Sequence, residues 1–215
     1  MNQSMNSSEH VVGILLAGGK SSRMGGGDKC LRSLGGRPIL ARIIERLEPQ
    51  VTGLVINANG EGSRFAEFGL PVVADSIAGF AGPLAGIHAG LEWVKSNRPE
   101  VRYAVTAPTD TPFFPADIVN RFLGELKGSR PLVVARSDTG VHPVVGLWPV
   151  ELSTDLEDAL RRGNRKAGEF VRQHSAIEVY FETTKVGGSL VDPFLNINEP
   201  EELSKADALL KEQML

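Results

Sequence analysis

Apolar positions along this chain alternate between short unbroken runs and longer stretches with helical spacing. Val11-Val12-Gly13-Ile14-Leu15-Leu16 is apolar throughout and stops at a glycine pair, the pattern of a strand buried on both faces. Pro38 stands where a helix can begin, and Ile39, Leu40, Ile43, Ile44 and Leu47 then recur at helical spacing. Leu54-Val55-Ile56 and Leu70-Pro71-Val72-Val73 read as the next strands. Leu84, Ile87, Leu91 and Val94 mark a helix with Pro83 near its start, and Tyr103 to Thr106 predicts a strand. Ile118, Val119, Phe122, Leu123 and Leu126 form the next helical pattern. Leu132 to Ala135 and Pro143 to Leu147 flank Asp138-Thr139-Gly140, a hairpin turn by composition. Helices near Thr154 to Arg161 and Ala167 to Gln173 follow, then an alternating strand at Ile177, Val179 and Phe181. A last helix starts at about Pro200, with Leu203, Ala206, Leu209 and Leu210 on one side.

Strand and helix alternating in this way predict a mostly parallel sheet covered by helices on both faces, with one antiparallel hairpin strand. Folds of this kind bind ligands beyond the carboxyl ends of their strands. No repeat or low-complexity linker interrupts the pattern, so residues 11–215 are expected to form a single domain, with residues 1–10 a flexible extension.

Composition narrows the chemistry. The chain has 215 residues, 41% hydrophobic and 23% charged, ordinary for a soluble globular protein. Its 24 glycines exceed the average share of roughly 7%, which points to close backbone approach. One cysteine, Cys30, excludes an intramolecular disulfide framework and a cysteine-rich zinc site, and His10, His88, His142 and His174 have no metal-ligand spacing. No apolar run approaches the ~20 residues of a membrane helix, and Met1 to His10 is too polar for a signal peptide. A cytoplasmic protein is expected. The net charge of −3 gives no general attraction to nucleic acid or anionic membrane. Between Leu16 and Arg37, however, Lys20, Arg23, Lys29, Arg32 and Arg37 face one acid, Asp28. That segment is either a local anion site or a solvated face.

The chemistry collects at the ends of the strands. From Leu16 to Lys29, five glycines and the cations Lys20, Arg23 and Lys29 lie between a strand and a helix. Glycine lets backbone N–H groups approach phosphate oxygens, and the cations offset their charge. The spacing is neither that of the Walker loop nor that of the dinucleotide Gly-x-Gly-x-x-Gly. Asp110, in Ala107-Pro108-Thr109-Asp110-Thr111-Pro112, is either a hard oxygen ligand for Mg²⁺ or a cap for the helix near Ala116. Asp75 stands in the equivalent place after Val72-Val73-Ala74, as a ligand or as a turn residue ahead of Ser76. Asn57 and Asn59 close the strand before it and either bind a base or ribose or shape the turn. Gly79 to Gly86 leads into a helix, as an anion-friendly N-terminus or as close helix–sheet packing. Asn196 and Asn198 precede a helix start, where capping is the ordinary fate of Asn198. His142, ahead of Pro143, reads as structural.

Together these blocks resemble the molybdenum cofactor guanylyltransferase family. Leu16-Ala17-Gly18-Gly19-x3-Arg23-Met24-Gly25-x2-Asp28-Lys29 is similar to its N-terminal signature. Asp75-Ser76 with Gly82-Pro83-Leu84-Ala85-Gly86, then Asp110-Thr111-Pro112, His142-Pro143 and Asn196-Ile197-Asn198-x-Pro200-Glu201-Glu202 continue the likeness in order, from about Val12 to Leu203. The resemblance implies a three-layer α/β/α, Rossmann-like nucleotidyltransferase fold. It also implies transfer of GMP from GTP to the terminal phosphate of molybdopterin or molybdenum cofactor, with release of pyrophosphate. By the same resemblance Leu16, Ala17, Gly18, Lys29, Asn57, Asp75 and Asp110 contact nucleotide, and Asp110 holds Mg²⁺. Arg23, Gly26, Gly82, Gly86, Asn196 and Asn198 are implied on the pterin side. Gly18-Gly19 after Ala17, rather than a second alanine, resembles the guanine-using branch. The stretch from Asn164 to Val171 receives no role.

On this reading Lys29, Asp110 and Arg23 carry the chemistry. Joining a phosphate monoester to a nucleoside triphosphate brings two polyanions together, so positioning and charge compensation are the protein's main tasks. Expected partners are GTP, the pterin, and transiently the proteins that deliver or receive it. Two other readings share part of the pattern: a nucleotidyltransferase using CTP or a sugar phosphate acceptor, and a non-catalytic nucleotide-binding adaptor.

Overall fold

A computed structural model describes residues 11–18, 28–77, 82–126 and 130–212. Seven strands form the main sheet: β1 (Val11–Leu16), β4 (Leu54–Asn57), β5 (Val72–Val73), β6 (Tyr103–Pro108), β7 (Val133–Ser137), β8 (Gly140–Pro149) and β9 (Ile177–Tyr180). Their spatial order is β5-β4-β1-β6-β8-β7-β9. β1 pairs in parallel with both β4 and β6, β4 with β5, and β7 with β9, while β8 runs antiparallel to β6 and β7. The mostly parallel sheet with one reversed hairpin strand is as the pattern predicts.

Helices cover both faces because the strand residues alternate between two apolar cores. Val11 and Leu15 of β1 face a core shared with α1 (Ile39–Leu47), α3 (Ile118–Leu123) and α6 (Pro200–Glu212). Val12 and Ile14 face the other core, with α2 (Pro83–Asn97), α4 (Ser153–Arg161) and α5 (Ala167–Gln173). Three layers follow from this period of two. Close approach explains two of the glycines. A Cβ on Gly13 would lie 2.5 Å from Leu54 Cδ2 and 2.9 Å from Leu47 Cδ2, and one on Gly90 would lie 2.6 Å from Ile14 Cδ1 and Cγ2. Glycine therefore lets α1 and α2 settle closely on opposite faces of β1.

Several observed details depart from the sequence pattern. Two small hairpins, β2 (Ser33–Leu34) with β3 (Arg37–Pro38) and β10 (Thr184–Val186) with β11 (Ser189–Val191), lie outside the main sheet and were not expected. Gly62–Phe68 forms a 3-10 helix. α3 stops at Leu123 rather than continuing to Leu126, and β5 is limited to Val72–Val73. No helix among the described residues is long and apolar enough to cross a membrane. Residues 1–10, like Lys20, Arg23 and Gly26, lie outside the described residues.

The chain builds β1, β4 and β5 outward in one direction and then returns to place β6 on the other side of β1. This reversal makes a crevice at the carboxyl ends of β1 and β6, the topological switch point where open α/β sheets bind ligands.

Candidate active site

The crevice is floored by the ends of the parallel strands. Ala17 N–H donates to Asn57 O at 2.8 Å, and Thr109 donates to Leu16 O through its N–H at 3.2 Å and its Oγ1 at 3.0 Å. These bonds extend the ladder past the last paired residues and hold the three strand ends together. Gly18 is exposed just beyond them.

Lys29 opens a 3-10 turn at Lys29–Leu31 and reaches across the crevice. Its Nζ lies 2.8 Å from Asp110 Oδ2 and 2.7 Å from Asn198 Oδ1. Asp110 is only two residues past β6, and its carboxylate turns to Lys29 instead of capping a helix. α3 starts at Ile118 after Asp117. Ile197 N–H donates to Asp110 O at 2.9 Å, which fixes the Asn196 to Asn198 segment along the crevice. Asn198 is not the helix cap either. Glu202 Oε2 accepts the N–H of Asn198 at 2.5 Å and of Glu199 at 3.0 Å, so a glutamate in the first turn of α6 satisfies those donors. With α6 starting at Pro200, Asn198 lies one position ahead of the cap, and its side-chain amide faces Lys29. Asn196 is exposed on the same segment.

A second polar group sits at the ends of β4 and β5. Buried Asn57 donates through Nδ2 to Asp75 Oδ1 at 3.0 Å and to Val73 O at 3.2 Å. Asn59 donates to Asp75 Oδ2 at 2.8 Å and accepts the Asp75 N–H at 2.9 Å. Both asparagines therefore orient one carboxylate. Gly86 makes room for this arrangement, because a Cβ there would stand 2.2 Å from Asn57 Oδ1. Gly82, just ahead of α2, has φ +133, a backbone state that disfavours a side chain. The Arg165 carbonyl would lie 3.7 Å from a Cβ at Gly82, so the turn between α4 and α5 borders the start of α2.

Arg64 joins the two groups and was not singled out from sequence. Its guanidinium pairs with Asp28, the neighbour of Lys29, and donates to Asn59 O at 2.7 Å and to Glu61 O. It also lies over the Phe65 ring, with Cζ 4.6 Å from the centroid. The only sequence signal was a lone arginine among polar loop residues. Arg37, by contrast, turns to Glu45 at 2.8 Å. Cys30 is buried beside the crevice, and its thiol is pushed up to about 11, first by burial and then by the charge of Asp28, so it stays protonated.

Among the described residues, no cluster of three or more His, Cys, Asp or Glu side chains suits a metal ion. A single carboxylate such as Asp110 does fit Mg²⁺, which takes one or two protein carboxylates and completes its shell with substrate phosphates and water. The arrangement is a cation and a carboxylate in contact at a sheet switch point, beside a second carboxylate held by two amides. Such a cleft suits a phosphorylated nucleotide.

Comparison with known proteins agrees with that chemistry. Residues 13–177 match the MobA-like NTP transferase domain, so the fold and cleft are those of a nucleotidyltransferase. The chain is 44% identical over 198 residues to the molybdenum cofactor guanylyltransferase of Rhodopseudomonas palustris (strain BisB5), covering 91% of this chain and 92% of that one. It is 45% identical over 202 residues to the protein of the same name from Bradyrhizobium sp. (strain ORS 278), covering 93% and 92%. The crystal structure of molybdopterin-guanine dinucleotide biosynthesis protein A from Archaeoglobus fulgidus shares the fold, with a TM-score of 0.68 over 94% of this chain and 99% of that one, at 22% identity. The chain belongs to the molybdenum cofactor guanylyltransferase family.

Proposed function

We propose that this enzyme transfers GMP from GTP to the terminal phosphate of molybdopterin or molybdenum cofactor, releasing pyrophosphate. The observation that carries the reading is Lys29, held at the switch point between Asp110 and Asn198. The names of the curated relatives supply the acceptor and the base.

In this reading an oxygen of the pterin phosphate attacks the α-phosphorus of GTP. A new P–O–P bridge forms, and the bond from the α-phosphorus to the bridging oxygen breaks. Its electron pair leaves with pyrophosphate. No general base is needed, because a phosphate monoester with a second pKa of about 6 is already ionised near neutral pH. Lys29 would exchange its contact with Asp110 for one with the triphosphate and stabilise the charge that develops on the leaving group. Asp110, released from Lys29, would hold Mg²⁺, which when bound neutralises phosphate charge and acts as a Lewis acid. Leu16, Ala17, Gly18, Asn57 and Asp75 would orient the nucleotide. Arg23, Gly26, Gly82, Gly86, Asn196 and Asn198 would receive the pterin.

The test is pyrophosphate release by purified protein with Mg²⁺ and each NTP, with molybdopterin on a carrier protein or with sugar 1-phosphates as acceptor. Release that requires both GTP and the pterin supports the reading. Release with CTP would overturn the base choice, and release only with a sugar phosphate would overturn the acceptor.

A further inference from the structure

The segment that carries Asn196 and Asn198 into the crevice is fastened at its start by a polar cluster that the reaction above does not use. Asp192 follows β11 directly. Its Oδ2 accepts from Ser137 Oγ at 2.7 Å and Thr139 Oγ1 at 2.8 Å, and its Oδ1 accepts the N–H of Phe194 at 2.8 Å. Ser137 ends β7 and Thr139 lies in the turn before β8, so the cluster ties that hairpin to the segment leading to α6.

His142 completes it. Its Nε2 lies 2.8 Å from Ser137 Oγ. A hydroxyl has one hydrogen, and Ser137 gives it to Asp192, so His142 must be the donor and carry its hydrogen on Nε2. Burial holds the His142 imidazole below the usual histidine range, which favours this neutral form. The wiring is not that of a catalytic Ser-His-Asp triad, in which the carboxylate orients the imidazole and the imidazole takes the serine proton. Here serine is in the middle and its proton points to the carboxylate. The His142 ring also packs on Phe194, with centroids 4.6 Å apart.

Beyond the cluster, Phe194 and Ile197 are buried at 2% and 0% exposure. Ile197 N–H is bonded to Asp110 O, and Asn198 ends on Lys29. The path from Asp192 to Lys29 is therefore a short chain of fixed points with little freedom between them.

We infer that Asp192, Ser137, Thr139 and His142 are positioning residues that set the register of the Asn196 to Asn198 segment against Lys29, and so the geometry in which the acceptor phosphate is held. The inference rests on the proposed assignment of Asn196 and Asn198 to the acceptor side.

The test compares Asp192→Ala, His142→Leu and His142→Gln with the parent. Glutamine keeps an N–H donor near the position of Nε2, whereas leucine does not. Steady-state KM is measured separately for GTP and for carrier-supplied molybdopterin, together with hydrogen exchange of the peptide spanning residues 192–199. Asp192→Ala and His142→Leu should reduce kcat/KM for the acceptor by about tenfold to a hundredfold, the usual scale for a small misplacement in a site. KM for GTP should change by less than about twofold on the same argument. Exchange should accelerate in residues 192–199 and not in β1 or β6, and His142→Gln should behave like the parent. Equal loss for both substrates, or a uniform rise in exchange across the molecule, would overturn the inference by reducing the cluster to general stability. If the parent itself transfers nothing to molybdopterin, the functional reading fails. The exchange pattern then still decides whether the cluster holds this segment.

Discussion

Gly86→Ala pits helix propensity against the architecture of the site. In a helix interior alanine is favoured over glycine by about 0.8–1.0 kcal/mol, so propensity alone predicts a more stable protein. At Gly86 the new Cβ would stand 2.2 Å from Asn57 Oδ1, 3.0 Å from its Cγ and 3.3 Å from Leu16 Cδ2. The Asn57 side chain must retreat by more than an ångström, too far to keep its 3.0 Å bond to Asp75 and 3.2 Å bond to Val73 O. A bond to a charged acceptor contributes about 1.5–3 kcal/mol and an ordinary one about 0.5–1.5 kcal/mol. Asn57 is 3% exposed, so water does not easily replace either. The loss exceeds the propensity gain, for a net destabilisation of about 1–3 kcal/mol.

Denaturant unfolding of four proteins isolates this effect: parent, Gly86→Ala, Asn57→Ala and the double variant. Once Asn57 is truncated, Gly86→Ala should be neutral or stabilising by up to about 1 kcal/mol, because the two closest contacts both belong to Asn57. Gly168→Ala is the matched control on α5. Its nearest neighbour, Arg172 Nη1, would lie 3.6 Å away, and the substitution should stabilise by a few tenths of a kcal/mol, up to about 1 kcal/mol. KM for nucleotide should rise in Gly86→Ala, since Asn57 orients Asp75. A Gly86→Ala protein as stable as the parent, or equal costs with and without Asn57, would show that Asn57 does not set the cost.

Lys29→Ala should lower turnover by about 10²–10³-fold while leaving the protein folded but less stable by about 1–3 kcal/mol, from the lost bonds to Asp110 and Asn198, as pyrophosphate release and thermal melts would show. Asp110→Asn keeps an oxygen for Lys29 but not the charge, and the Mg²⁺ stimulation of turnover should disappear in a metal titration. Gly90→Ala, which would press a Cβ into Ile14, should cost about 1–3 kcal/mol by overpacking, with KM values unaltered. Burial holds both His88 and His142 below the usual histidine range. Around His88, Glu92 and Glu157 oppose that shift, while Lys95 and Arg161 assist it. The unfolded chain therefore binds more protons than the native one as pH falls below about 6.5. The stability present above that pH should decline on acidification, by at most about 1.4 kcal/mol per pH unit for each histidine. Melts between pH 7.5 and 5.5 should show a shallower decline in His88→Asn than in the parent.

Much of the fold was legible because its elements are long and their apolar periodicity is clear. β1 is apolar on both faces, α1 carries its buried residues at helical spacing, and so do the large apolar residues Leu84, Ile87, Leu91 and Val94 of α2. The small hairpins escaped the pattern, since strands of two or three residues are too short to alternate. Gly35-Gly36 and Gly187-Gly188 were their one sequence signal, each at a tight turn with positive φ. The 3-10 helix at Gly62–Phe68 buries only Phe65, and a single buried residue leaves no period to read.

For the site, strand-end position alone flagged Asp75 and Asp110, and the family resemblance implied that both, with Lys29, contact nucleotide. Sequence separations of 81 between Lys29 and Asp110, and of 169 between Lys29 and Asn198, put their contact beyond any local rule. Asn198 has the local signature of a cap. The helix begins only at Pro200, so the position before it is Glu199, and the Asn198 amide faces Lys29 instead. Arg64 acts through carbonyls and a distant carboxylate, partners that residue type does not reveal.

On the proposed function, one crevice joins the α-phosphate of GTP to a pterin phosphate. Single turnover with GTP labelled on its α-phosphorus, or separately on its γ-phosphorus, and molybdopterin on its carrier tests it most directly. The α label should appear in a pterin–guanine dinucleotide and the γ label in pyrophosphate, and Lys29→Ala should suppress both. Release of the γ label as inorganic phosphate, or an α label that never reaches the pterin, would contradict it.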